Sequence, residues 1–129
     1  MKEQSGDALT TLQDLKARVA EFVGERDWGQ FHTPKNLSMS IAIEAAELME
    51  HFQWMTVEQS RSLPPEALAE IGEELADIVI YGLSLANVLG LDLAQTVTEK
   101  MAKNIRKYPA DRVRGKSHKY TFYQQQDEE

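Results

Sequence analysis

The chain contains no cysteine. That excludes a disulfide framework and any thiolate metal site, so a bound metal would depend on oxygen or imidazole ligands. Long apolar runs are also missing. The most apolar stretch, Leu75 to Leu91, is interrupted by Asp77 and Asn87 and is shorter than the ~20 residues of a membrane span. No basic segment precedes an apolar run near the start, so a secretory signal is not expected. No internal repeat, second domain or convincing strand pattern is present. What remains is a 129-residue chain, 42% hydrophobic and 27% charged, within the range of a folded protein. One domain over residues 1–129 is expected, ordered over about 7–123, with a flexible acidic tail from Gln124 to Glu129 and a cytoplasmic setting.

The net charge of −7 conceals an asymmetry. Residues 100–119 hold Lys100, Lys103, Arg106, Lys107, Arg112, Arg114, Lys116 and Lys119 against one acid, Asp111. Between Glu66 and Asp77 stand five acids and no base. An acidic remainder opposes a long nucleic acid, whereas a small polyanion bridged to the acids by a metal suits both halves. The alternative is two solvated faces of opposite sign.

Apolar periodicity and end signals predict four helices. The first runs from about Asp7 to Arg26 on the stripe Leu9, Leu12, Leu15, Val19, Phe22 and Val23, followed by an aromatic loop, Asp27 to His32. Thr33-Pro34 starts the second, which should reach Trp54, because a hydroxyl cap followed by proline suits a first turn. Thr56 with Gln59 resembles a capping box for a short extra turn. The third helix spans Pro65 to Leu89 and ends at Gly90; the fourth is capped by Asp92 and ends at Tyr108-Pro109. A run at Tyr120–Tyr123 could pack back on the body or on a neighbouring subunit. The expected fold is therefore an all-α, four-helix bundle. The broad apolar face of Ile78, Val79, Ile80, Leu83 and Leu85 exceeds what one protomer would cover, so a homo-oligomer is expected.

Two acidic couples dominate this frame: Glu44-x-x-Glu47 on the second helix and Glu74-x-x-Asp77 on the third. Spacing of i, i+3 places both carboxylates of a couple on one side of a helix. Leu37, Ile41, Leu48 and Met55 share the first arc, and Ile71, Ile78, Tyr81 and Leu85 share the second. Inward carboxylates cost several kcal/mol unless paired, neutralised or bound to a cation. Oxygen-only ligands favour Mg²⁺, with Mn²⁺ a possible substitute. A di-iron bundle would require Glu-x-x-His at i, i+3 on two helices, and this chain has no such pair; His51 follows Glu47 by four. On the fourth helix Lys100, Asn104, Lys107 and Tyr108 share one face, combining point charges for phosphate with directional hydrogen bonds. Trp28, Phe31, His32 and Trp54 supply aromatics either for clamping a planar base or for anchoring a core.

These segments together, Phe22 to Leu37, Glu44-Ala-Ala-Glu47, Phe52-Gln53-Trp54, Glu73 to Tyr81 and Lys100…Asn104…Lys107-Tyr108-Pro109, resemble the MazG-like nucleotide pyrophosphohydrolases, and within them the dCTP pyrophosphatase branch. The resemblance covers about residues 7–123. It implies a MazG-like bundle completed by oligomerisation, as a dimer or a dimer of dimers. It also implies Mg²⁺-dependent hydrolysis of a nucleoside triphosphate between the α and β phosphates, with dCTP or a related pyrimidine dNTP the expected substrate. Position by position, Glu44, Glu47, Glu74 and Asp77 match the metal-binding, catalytic acids. Trp28 and Trp54 match base-pocket aromatics, and Lys100, Asn104 and Tyr108 match substrate-contacting positions. His32, Asn36, Tyr81 and Lys107 complete the expected substrate-binding set. Three alternatives stay open: the same chemistry on dUTP or phosphoribosyl-ATP, a non-catalytic helical interaction protein, and an iron-storing bundle.

Overall fold

The structure, a computed structural model, describes residues 5–117 and 124–125. It is all-α, and no strand occurs among the described residues. The helices are α1 (Leu12–Glu25), α2 (Pro34–Glu50), α3 (Val57–Ser60), α4 (Pro65–Leu89), α5 (Leu93–Lys107) and α6 (Ala110–Val113). The chain divides into two compact units, one within Met1–Leu91 and one within Asp92–Glu129.

Local chemistry explains the boundaries. The first helix begins at Leu12 and not at Asp7. A reciprocal capping box decides this: the Asp14 N–H donates to Thr11 Oγ1 (3.1 Å) and the Thr11 N–H donates to Asp14 Oδ2 (3.0 Å). Thr33 caps α2 by accepting from the Asn36 N–H at 3.2 Å, with Pro34 at the first position. That helix stops at Glu50, short of Trp54, where single turns take over: Phe52 and Gln53 donate their N–H groups to Met49 O. Thr56 and Gln59 form the expected box on α3. Gly90, at φ 66°, closes α4 in the left-handed conformation that suits glycine.

In the first unit α4 packs on both α1 and α2. Leu37, Ile71, Leu83 and Ala86 are its buried apolar residues. Two long-range bonds tie α1 to the end of α4: Lys16 Nζ donates to Leu91 O (2.7 Å), and Asn87 Nδ2 donates to Lys16 O (2.9 Å). Against this small core, Met39, Ile43, Leu75, Val79 and Ile80 stay exposed. The second unit is α5, capped by Asp92, and α6; Val97, Met101 and Ile105 form an exposed apolar stripe on α5. Tyr120–Tyr123 and the end of the acidic tail lie outside the described residues. Among the described residues no single helix is long and apolar enough to cross a membrane.

Candidate active site

Packing of α2 against α4 brings the two acidic couples together. Glu44, Glu74 and Asp77 each present a carboxylate oxygen, and these oxygens lie within 4.8 Å of one another. Oε2 of Glu44 and Oε2 of Glu74 are buried with no hydrogen-bond partner among the described residues. Burial first, then a hydrogen bond shared with Glu47, then the charges of Glu47, Asp77 and Glu74 raise the Glu44 carboxyl to about 7. Like charges converging with orphaned oxygens form a group that the described residues do not satisfy. An all-carboxylate donor set of this kind fits a hard divalent cation. His51 adds a neighbour: its Nε2 is 3.8 Å from Glu74 Oε1, at the opposite oxygen from the orphaned one.

Beside the cluster lies a cavity of about 840 Å³ between α1 and α4, with Glu44 and Asp77 in its lining. Leu15, Val19 and Phe22 of α1 face Leu75, Ile80 and Tyr81 of α4 across it. The loop after α1 supplies the rest of the wall. Asp27 takes a positive φ of 52° there, and the Trp28 N–H donates back to Val23 O at 3.0 Å. The turn is closed by His32, whose N–H reaches Trp28 O and Gly29 O. Consecutive aromatic contacts follow. Phe22 meets Trp28 edge-on at 5.5 Å, Trp28 stacks with His32 at 6.5 Å and 23°, and His32 tilts against Tyr81 at 6.4 Å. His32 Nδ1 and Ser84 Oγ are hydrogen-bonded at 3.0 Å.

Of the residues singled out from sequence, Glu44, Asp77, Trp28, His32 and Tyr81 line this cavity, and Glu74 completes the carboxylate triad. Glu47 lies outside the triad and reaches it through Glu44. Asn36 is a loop brace, its Nδ2 donating to Phe31 O at 3.0 Å. Trp54, expected in the base pocket, does not line the cavity and is 89% exposed; it follows the end of α2, in the turns beyond Glu50. Lys100, Asn104 and Lys107 lie on α5, with Tyr108 at its C-terminal cap. Two residues stand outside the site set read from the sequence: Ser84, and His51, which is weighed there only as a di-iron ligand. Their faint signal was position: His51 is i+7 from Glu44, and Ser84 is i+7 from Asp77, spacings that return to the same helix face.

dCTP pyrophosphatase 1 of Mus musculus is 43% identical over 113 residues, covering 86% of this chain and 66% of that protein. The Homo sapiens protein of the same name is likewise 43% identical over 113 residues. The chain thus spans about 66% of the length of these relatives. Among solved structures, a pyrophosphatase from Archaeoglobus fulgidus is 39% identical with a TM-score of 0.70, covering 82% of this chain and 99% of that one. The profile of the MazG-like family matches residues 39–121, and the chain belongs to that family.

Proposed function

We propose that this chain is a Mg²⁺-dependent nucleoside triphosphate pyrophosphohydrolase. It converts dCTP or a related pyrimidine dNTP to the monophosphate and pyrophosphate, as a cytoplasmic enzyme acting on a small molecule and not on nucleic acid. The observation that carries the reading is one cavity with aromatic rings on one wall and a carboxylate triad, two of its oxygens orphaned, at its edge. The names of the mouse and human relatives supply the choice of dCTP.

Glu44, Glu74 and Asp77 would hold the metal. A divalent ion bound there supplies neutralisation of phosphate charge and a lowered water pKa. The chain's own contribution is positioning. Glu47, hydrogen-bonded to Glu44, is the proposed group that orients or deprotonates the attacking water. Trp28, His32 and Tyr81 receive the base end of the nucleotide. On the second unit, Lys100, Asn104, Lys107 and Tyr108 are proposed as phosphate- and sugar-contacting residues, which their donor chemistry supports.

Homo-oligomerisation belongs to the same proposal. Met39 and Ile43 are exposed on α2, Ile43 at 58%, an apolar surface outside the cavity lining that a second copy would cover. In such an assembly Trp54 becomes available to a neighbouring copy. Incubation with each dNTP and Mg²⁺, with products separated by chromatography, tests the chemistry. Monophosphate and pyrophosphate are expected, with the highest kcat/KM on dCTP. Release of orthophosphate and a diphosphate would overturn the cleavage site. Elution as a monomer in size-exclusion chromatography would overturn the assembly.

A further inference from the structure

Ser84 is the one buried polar residue among the described residues, 4% exposed on α4 in a wall of mostly aliphatic and aromatic side chains. A buried hydroxyl needs a partner, and here it has His32 Nδ1 at 3.0 Å, from a loop 52 residues earlier. The His32 ring is held three ways. Its own backbone N–H is bonded to Trp28 O and Gly29 O, its face lies along Trp28, and it tilts against Tyr81. An imidazole has two nitrogens. With Nδ1 committed to Ser84, Nε2 is left for a ligand. The bond also chooses the tautomer: a serine that donates to Nδ1 leaves a proton on Nε2, and a serine that accepts leaves Nε2 bare.

We infer that Ser84 is a positioning residue of the cavity, whose hydroxyl sets the ring angle and tautomer of His32 so that Nε2 offers one directed hydrogen bond to the polar edge of a planar heterocycle. Ser84 follows Tyr81 by three residues and Asp77 by seven, so one face of α4 carries the acid and the serine about 10 Å apart along the axis. The heterocycle is the base end of the nucleotide, and this part rests on the proposed function.

Two measurements separate the inference from that reading. Long-range ¹H–¹⁵N spectra of the full chain without ligand, at about pH 8 where imidazole is neutral, report the His32 tautomer; loss of one histidine signal set in His32→Gln assigns it. One dominant tautomer is expected in the wild type and a mixture in Ser84→Ala. An unchanged ratio would overturn the inference whatever the enzyme's substrate. Steady-state kinetics with dCTP and the other dNTPs form the second arm. Ser84→Ala should raise KM for dCTP about tenfold and flatten the preference among bases, with kcat falling less than about threefold. Ser84→Cys, close in volume but a weak hydrogen-bonding partner, should behave like Ala, and Ser84→Thr should recover most of the loss. A fall in kcat and thermal stability with base preference intact would mean that Ser84 is merely structural. If the wild type turned over no nucleotide, the proposed function would fail and the tautomer arm would still decide the role of Ser84.

Discussion

The two ends of the cavity are built on opposite principles. At the acidic end, three carboxylates converge within 4.8 Å, two buried oxygens have no partner among the described residues, and Glu44 is pushed up to about 7. At the aromatic end folding matches the polar atoms and leaves His32 Nε2 for the ligand. His32 Nδ1 has its hydroxyl, the loop N–H groups have carbonyls, and the rings lie edge to face or stacked. The difference teaches which end is finished by folding. Dipoles and rings can satisfy one another inside the chain, whereas like charges at low dielectric require an external cation or a proton. One end is oriented before a ligand arrives. The other is completed by it.

Substitutions at the acidic end should have the largest effect. Glu74→Ala or Asp77→Ala should reduce turnover by about 10³-fold or more while leaving far-ultraviolet circular dichroism unchanged. Activity retained in both would erase the contrast by removing the metal from the site. At the aromatic end Trp28→Ala should cost about 1–3 kcal/mol of nucleotide binding, roughly 10–100-fold in KM, through lost stacking. Its Mn²⁺ affinity, read by calorimetry, should equal that of the wild type. A joint loss of metal and nucleotide binding would show that the two ends are not independent.

Smaller effects sharpen the acidic end. His51→Leu removes the imidazole beside Glu74 Oε1 and should weaken Mn²⁺ binding about tenfold, the usual scale for a group that orients a ligand. Unchanged affinity would confine the site to its carboxylates. The smallest effect is on stability. Glu44 is raised from 4.5 to about 7 in the folded chain, so the native state holds that proton more tightly than the unfolded state. Its stabilising contribution is fully present below about 4.5 and is lost as pH rises through about 7. Metal-free protein should therefore lose a few degrees of Tm between about pH 5 and pH 8 relative to Glu44→Gln, and Mg²⁺ should restore them. A variant that tracks the wild type at every pH would remove Glu44 from the frustrated cluster.

Much of this was legible along the chain because it is local. Caps act over three residues, so Thr33-Pro34, Thr56 with Gln59, Gly90 and Asp92 mark helix ends that the structure keeps. The start of α1 was misplaced because the apolar stripe continues through Leu9, while the Thr11–Asp14 box decides the first turn. The end of α2 was misplaced because Phe52 and Trp54 extend a helical pattern into a stretch of single turns. The i, i+3 spacing exposed both acidic couples, yet it treated Glu44 and Glu47 as equivalent. Only Glu44 has an oxygen in the triad.

By itself the sequence determined the helices and which acids share an arc, since backbone hydrogen bonds and side-chain periodicity act within a turn or two. Tertiary packing decided which carboxylates converge, that His51 borders Glu74, and that a serine on α4 meets a histidine from the loop before α2. The physical reason is range. A helix face is set by neighbours three or four residues away, while desolvation, repulsion and hydrogen-bond pairing depend on whichever helix lies against that face.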